Sequence, residues 1–243
     1  MGVNKLTVYK RLRVGVFSTG DEIVDCSKTQ LPPGCVYDAN RPLMLSLLGE
    51  LGCETTDLGI LSDNPQIIGD ALQTASTTHD VLITSGGASV GDEDHVINII
   101  KKLGSLHFWR LAIKPGKPVA FGTINNTAFI GLPGNPVSAI VTLMMIARPM
   151  LLLMAGRTHV DIKRYRAEAD FSLDRETGRL EWMRGNVNPT NEGKVLATVY
   201  PTQSSGVLSS MVASTGFLEV PADMARINKG DMLDFIPFNE AFK

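Results

Sequence analysis

Three acids in this sequence each come after a short apolar run: Glu22 after "RVGVFS", Asp63 after "CETTDLGIL" and Asp94 after "DVLITSGG". Carboxylates gathered from separate loops suit a hard cation such as Mg²⁺, which takes oxygen ligands, keeps waters and often bridges to a substrate phosphate. Acids here also have plain structural uses, since Asp63 or Asn64 could cap the helix opened by Pro65 and Asp92 or Glu93 could complement a helix dipole. The glycines of "SGGASVG", Gly86, Gly87 and Gly91, permit left-handed backbone and close approach, so that N–H groups can face an anion. A tight turn asks for the same residues. The pattern is neither a dinucleotide-binding GxGxxG nor a P-loop.

Lys114 and Lys117 bracket "PG" in "KPGKP". Two ammonium groups held together repel unless an anion lies between them, which is the requirement of an oxyanion site, although a solvated pair satisfies the same spacing. In "LPGNPVS" Pro136 opens a helix whose free N–H groups and dipole attract anions, or Asn135 simply caps it. His79, His95, His107 and His159 show no metal-ligand spacing, and the absence of a GxSxG elbow or a Cys/His pairing leaves hydrolase chemistry without support.

The elements that must present these loops alternate in type. "RVGVFS" (13–18) reads as a strand, and "NRPLMLSLLGELG" (40–52) as a helix with Leu43, Leu47, Leu48 and Leu51 on one face. Strands follow at 53–61 and 80–87, with helices from Pro65 and over 93–104, the last ending at a capping glycine. "PVAFGTI" and "TAFIGL" flank "NN" as a hairpin, "KPGKP" lies in the connection before it, and a long helix spans 136–155. Repeated strand–helix units imply a parallel sheet with helices on both faces, and ligands of such sheets bind at the carboxyl ends of the strands, where these loops fall. After Gly156 only short alternating strands remain. The reading is an α/β domain over 1–155 followed by a small all-β domain over 156–243.

Hydrophobic residues at 44% and charged residues at 20% are an ordinary globular balance, and a net charge of −2 argues against a nucleic-acid surface. Three cysteines without CxxC spacing argue against a disulfide framework or zinc site and fit a reducing cytoplasm. The most apolar stretch, 137–155, contains Arg148 and Pro149 and reads as a buried helix, so no membrane partner is expected.

As an ordered set, "STGDE", "SGGASVGDED", "KPGKP" and "LPGNPVS" resemble the molybdopterin molybdenumtransferases, the MoeA proteins, which are similar to the E domains of plant Cnx1 and animal gephyrin. "VYKRLRVGVFSTGDEIV" and "QSSGVLSSMVASTGFLEVP" extend the likeness over nearly the whole chain. The resemblance implies a MogA-like α/β domain, a barrel-like β domain, and insertion of molybdenum from molybdate into adenylylated molybdopterin with Mg²⁺-dependent release of AMP. Carried over by motif, Glu22, Asp63 and Asp94 are catalytic, with Glu22 and Asp94 at the metal. Thr19, Gly20, Ser85, Gly86, Gly87, Gly91, Pro133, Gly134 and Asn135 meet pterin and phosphate. Lys114, Lys117, Ser138, Arg184 and Ser205 meet molybdate. The family has a glycine where this chain has Ser204, and its members begin with a further region that shapes a homodimer, so the chain resembles their C-terminal portion. Two other readings follow from the same residues: a molybdopterin-binding scaffold without catalysis, and a MogA-like adenylyltransferase, which the trailing β domain and the different continuation after SGG disfavour.

Overall fold

The computed structural model describes residues 2–86 and 95–242. Its first sheet contains β1 (Arg13–Thr19), β4 (Glu54–Leu61), β5 (Val81–Ser85), β6 (Gly104–Arg110), β8 (Pro118–Ile124) and β9 (Thr127–Leu132), in the order β4-β1-β5-β9-β8-β6. β1 pairs in parallel with β4 and β5, and β5 with β9, while the hairpin β8–β9 turns the sheet antiparallel at its far side. Between these strands run α1 (Asn40–Glu50), α2 (Pro65–Ala75), α3 (His95–Leu103) and α4 (Pro136–Met154), the last with a π-helical turn at Leu143–Ala147. Alternation along the strands separates two apolar layers. Val14, Val16, Ile83 and Ile130 face Met44 and Leu48 of α1 and the body of α4, whereas Phe17, Leu82 and Phe129 face Ile68 and Leu72 of α2 and Ile100 of α3. Helices thus cover both faces, as the strand–helix repetition predicts.

Three details differ from expectation. The buried face of α1 is Asn40, Arg41, Met44 and Leu48, with Leu43, Leu47 and Leu51 only partly covered, because the helix start carries polar residues needed inside the fold. Gly104 opens the unforeseen strand β6 directly after α3 instead of capping the helix. A Cβ there would lie 1.8 Å from the Thr123 carbonyl oxygen, so close approach to β8 demands glycine. The chain after Gly156 is not purely β, since one-turn helices occur at Ser209–Val212 and Phe238–Ala241.

The second sheet is a barrel of five strands, β10 (Tyr165–Ala169), β12 (Leu180–Pro189), β13 (Val195–Val199), β14 (Gly216–Val220) and β16 (Met232–Pro237), closed by the pairing of β12 with β13. Closure leaves no long free edge among these strands. A sixth strand, β7 (Ile113–Lys114), comes from the first half of the chain and pairs with β12 at Leu180 and Glu181. Smaller ladders join β2 (Ile23–Val24) to β3 (Val36–Tyr37) and β11 (Leu173–Asp174) to β15 (Arg226–Ile227). One apolar cluster runs from Val14 through α4 to Trp182, Phe217 and Ile236, so the two sheets share a core. α4, long and apolar enough to cross a bilayer, has 72% of its most apolar window buried in that core.

Candidate functional site

The carboxyl ends of β1, β4 and β5 open onto a cavity of about 670 Å³. Ser18, Thr19, Gly20 and Glu22 reach it from β1 and the following turn, Asp63 from the end of β4, and Ser85 and Gly86 from β5. Gly134, Asn135 and Pro136 come from the β9–α4 loop, His95 from the start of α3, and Gly206 from the barrel half. Four of the five motif loops singled out in the sequence therefore meet here. Gly87, Gly91 and Asp94 lie outside the described residues.

Glycine is needed at two of these positions. Gly20 has φ +135°, and a Cβ on it would sit 2.7 Å from the Glu22 carboxylate, which folds over it. Gly86 has φ +90°, with the Thr19 carbonyl oxygen 3.1 Å from where a Cβ would be. Gly134 packs against Gly86, so the floor of the cavity is backbone on backbone.

Capping does not account for the acid or the amide. Asn64, not Asp63, caps α2, its side chain accepting from the N–H groups of Gln66 and Ile67 at 2.9 and 3.2 Å. The exposed Asp63 carboxylate is left at the rim, while its N–H donates to Asp21 at 3.1 Å. Asn135 makes no side-chain capping bond to α4 and instead lines the cavity.

Beneath the rim a polar lattice that the sequence reading missed fixes the walls. Arg41 is buried and ion-paired to Asp38 at 3.0 Å, to Asp25 at 2.5 Å and to Asp57. Burial alone would lower its pKa, but the three carboxylates raise it. Asp25, hydrogen-bonded by Ser27 and then by Arg41, is pulled down to about 2. Asn40 donates to Ser85 Oγ and to the Gly134 carbonyl, both at 2.7 Å, and Ser85 Oγ donates to the Pro133 carbonyl at 3.0 Å. Pro133 thus shapes the site through its backbone and does not line it. A polar residue inside an apolar helix face, followed by another, was the only available signal for Asn40 and Arg41.

The residues assigned to molybdate stand apart from this cavity. The "KPGKP" loop packs on α4, where a Cβ on Gly116 would lie 2.3 Å from Thr142. Lys114 pairs with the buried Glu181 at 2.9 Å, and Lys117 is exposed. Ser138 is buried in the first turn of α4, beside which the Ser205 carbonyl accepts from the Val137 N–H at 3.0 Å. Arg184 corrects the expectation that it reaches an anion. Its side chain is fully buried, with Nε donating to Ser210 Oγ at 3.1 Å and Nη2 to the Thr202 and Ser204 carbonyls. Burial holds its pKa below the usual arginine value. It acts by fixing the turn that carries Ser205 and Gly206.

Among the described residues no three His, Cys, Asp or Glu side chains form a metal-holding group. Glu22 and Asp63, both exposed and both lining one cavity, are oxygen donors of the kind that a hard cation takes.

Residues 15–152 match the family described as "Probable molybdopterin binding domain", and residues 166–238 match "MoeA C-terminal region (domain IV)". A molybdopterin molybdenumtransferase from Haemophilus influenzae is 38% identical over 240 residues, covering 98% of this chain and 59% of its own length. The molybdenum cofactor synthesis protein cinnamon of Drosophila melanogaster is 34% identical over 226 residues, covering 90% of this chain and 37% of its own length. Among solved structures, a molybdopterin biosynthesis MoeA protein from Pyrococcus horikoshii superposes with a TM-score of 0.76 at 27% identity, over 94% of this chain and 55% of that one. The chain spans little more than half of the length of these relatives at most.

Proposed function

The chain belongs to the molybdopterin-binding domain family, joined as in MoeA to a MoeA C-terminal region, and on that premise we propose that it carries the catalytic chemistry of a molybdopterin molybdenumtransferase. In this reading adenylylated molybdopterin enters the strand-end cavity, molybdate supplies the metal, the bond to the adenylate is cleaved, and molybdenum cofactor and AMP leave. The observation that carries it is the convergence of the Glu22, Asp63, Ser85–Gly86 and Gly134–Pro136 loops on one cavity, with Gly206 arriving from the C-terminal half.

Each group has a physical task. Glu22 and Asp63 would hold Mg²⁺ together with substrate phosphate, and the sequence resemblance assigns Asp94, outside the described residues, to the same set. Held by these acids, such a cation would supply positive charge to the leaving phosphate. The glycine floor lets the ligand meet backbone. For molybdate we propose the neighbourhood of the first turn of α4, the Ser205 turn and the lysine loop, where the Ser138 and Ser205 hydroxyls and the Lys114 and Lys117 ammonium groups would serve as donors. A homodimer and a cytoplasmic setting are part of the proposal for the full-length protein.

The test is an assay of AMP release from adenylylated molybdopterin, with Mg²⁺ and molybdate present together or singly. Release that requires both supports the reading, and is expected to fall at least a hundredfold in Asp63→Asn. Tight binding without release under all conditions would favour the non-catalytic scaffold. Consumption of ATP with unadenylylated molybdopterin would favour the adenylyltransferase.

A further inference from the structure

Lys114 is the outer end of a charged chain that runs into the protein. In the parallel ladder of β7 with β12 it stands opposite Glu181, and its ammonium lies 2.9 Å from Glu181 Oε1. The other carboxylate oxygen, Oε2, accepts from Arg175 Nε at 3.2 Å. Arg175 is itself tied down. Its Nη1 donates to the carbonyls of Pro221, at 2.8 Å, and Met224, and its Nη2 to that of Arg179 at 2.8 Å. The side chains of Arg175 and Glu181 are 3% and 5% exposed, whereas that of Lys114 is 43% exposed. Two fixed groups thus end in one cation at the surface.

Neutralising Glu181 does not require Lys114. Arg175 already supplies a buried, hydrogen-bonded counter-charge from inside. A second, half-exposed cation adds little to stability and leaves the triad with one positive charge in excess. What the pair changes is the lysine. An unrestrained ammonium on its four-carbon stem takes many positions, but this one is held by a carboxylate that is anchored in turn. Its one contact leaves the remaining ammonium N–H groups for a ligand. The same loop is fixed from its other side at Gly116, where a Cβ would lie 2.3 Å from Thr142 and 3.7 Å from the Ser138 carbonyl oxygen. Lys117, by contrast, is exposed, with no side-chain partner among the described residues.

We propose that Glu181, anchored by Arg175, is a positioning residue that holds the Lys114 ammonium where a tetrahedral oxyanion meets it. The proposal rests on the reading that Lys114 takes part in binding molybdate. It goes beyond it in naming the buried groups through which that lysine is set.

Glu181 acts on an anion in two ways of opposite sign. As a negative charge near the site it repels molybdate, so that its removal alone would tighten binding. As the holder of Lys114 it assists, and its removal loosens binding. The test is calorimetric titration of molybdate into this chain and its variants, at a temperature where each is folded by its melting curve. Glu181→Gln is expected to weaken molybdate on the order of tenfold, as the release of a restrained lysine allows. Because loss of a buried charge destabilises the fold, Glu181→Asp serves as the second variant. It keeps the charge beside Arg175, draws the carboxylate back from Lys114 by one methylene, and is expected to weaken molybdate severalfold. Lys114→Met is expected to weaken it at least as much as Glu181→Gln. In that background Glu181→Asp should have no further effect, a non-additivity that general distortion does not produce. Unchanged or tighter binding in both Glu181 variants, with Lys114→Met still weakened, would overturn the proposal and leave the lysine reading in place. So would a Glu181→Asp effect that persists in full in Lys114→Met. Molybdate affinity indifferent to Lys114→Met, or no binding of molybdate by the wild-type chain, would overturn the lysine reading and this proposal with it.

Discussion

Replacing Arg41 by methionine removes one cation from three carboxylates, and their burial decides the cost. The Asp57 side chain is about half exposed, so its pair with Arg41 contributes at most about 1 kcal/mol. Asp25 is also well exposed and decides little. Asp38 is different. Its side chain is 3% exposed against 7% for Arg41, so the substitution strands a buried charge. Losing one member of a buried pair costs about 3–5 kcal/mol, which for a chain of this size is a fall in melting temperature of roughly 10 °C. Urea denaturation of Arg41→Met beside Asp57→Asn measures the difference directly, with an unchanged dependence on urea showing that only stability has moved. Arg41→Lys should recover only part of the loss, since a single ammonium cannot serve three carboxylates in the place of a planar fork. The double replacement Arg41→Met with Asp38→Leu should recover much more, because it removes the stranded charge as well. The segment tied down by Arg41 supplies Ile23, Val36, Tyr37 and Asp38 to the cavity, so ligand affinity should drop in Arg41→Met at temperatures where the protein is still folded. If Arg41→Met costs no more than Asp57→Asn, the buried pair is not what secures this wall.

Two further outcomes follow from charge placement. Glu181 is buried between Arg175, also buried, and the half-exposed Lys114. Glu181→Gln should therefore cost about 3–5 kcal/mol in urea denaturation, while Lys114→Met should cost about 1 kcal/mol or less. Equal costs would show that the carboxylate does not depend on Arg175. Asp25 and Asp80 have depressed pKa values in the folded chain, Asp25 through Ser27 and Arg41 and Asp80 through Arg13. Their contribution is present in full above the unfolded carboxylate value near 4 and is lost as pH falls toward 2. Melting temperature followed from pH 6 to pH 2 should fall less steeply in Asp25→Asn than in the wild type, and parallel curves would contradict the assignment.

The strand–helix alternation and the loops at strand ends were legible because they follow from apolar periodicity and from glycine and proline chemistry. The cavity inherits that legibility, as Thr19, Glu22, Asp63, Ser85 and Asn135 all line it. What local sequence pattern does not encode is polar and long-range. Arg41 and Asn40 sit where a pattern of apolar residues counts as interruption, and their value depends on Asp25, Asp57, Ser85 and Gly134, whose positions no local window contains. Gly104 looks like a helix terminator in sequence because its true constraint, the Thr123 carbonyl, arrives from a later strand. Arg184 is a ligand only by carry-over from the family motif, and a motif match does not distinguish an arginine that binds an anion from one that holds the turn itself.

The strand β7 has a consequence for how such a chain is assembled. Its two residues are made long before the partner they meet in β12, and they belong by sequence to the α/β half while completing the edge of the other sheet. The barrel therefore cannot reach its final edge by its own residues alone, and a gene cut after α4 would separate a strand from its sheet as well as a shared core from its other wall. Recombination that swaps the C-terminal half for a relative's must supply a β12 able to accept this particular Ile113–Lys114 segment. The lysine loop and β12 are coupled through this ladder and the Lys114–Glu181 pair, even though the chain between them contains an entire hairpin and the longest of the described helices.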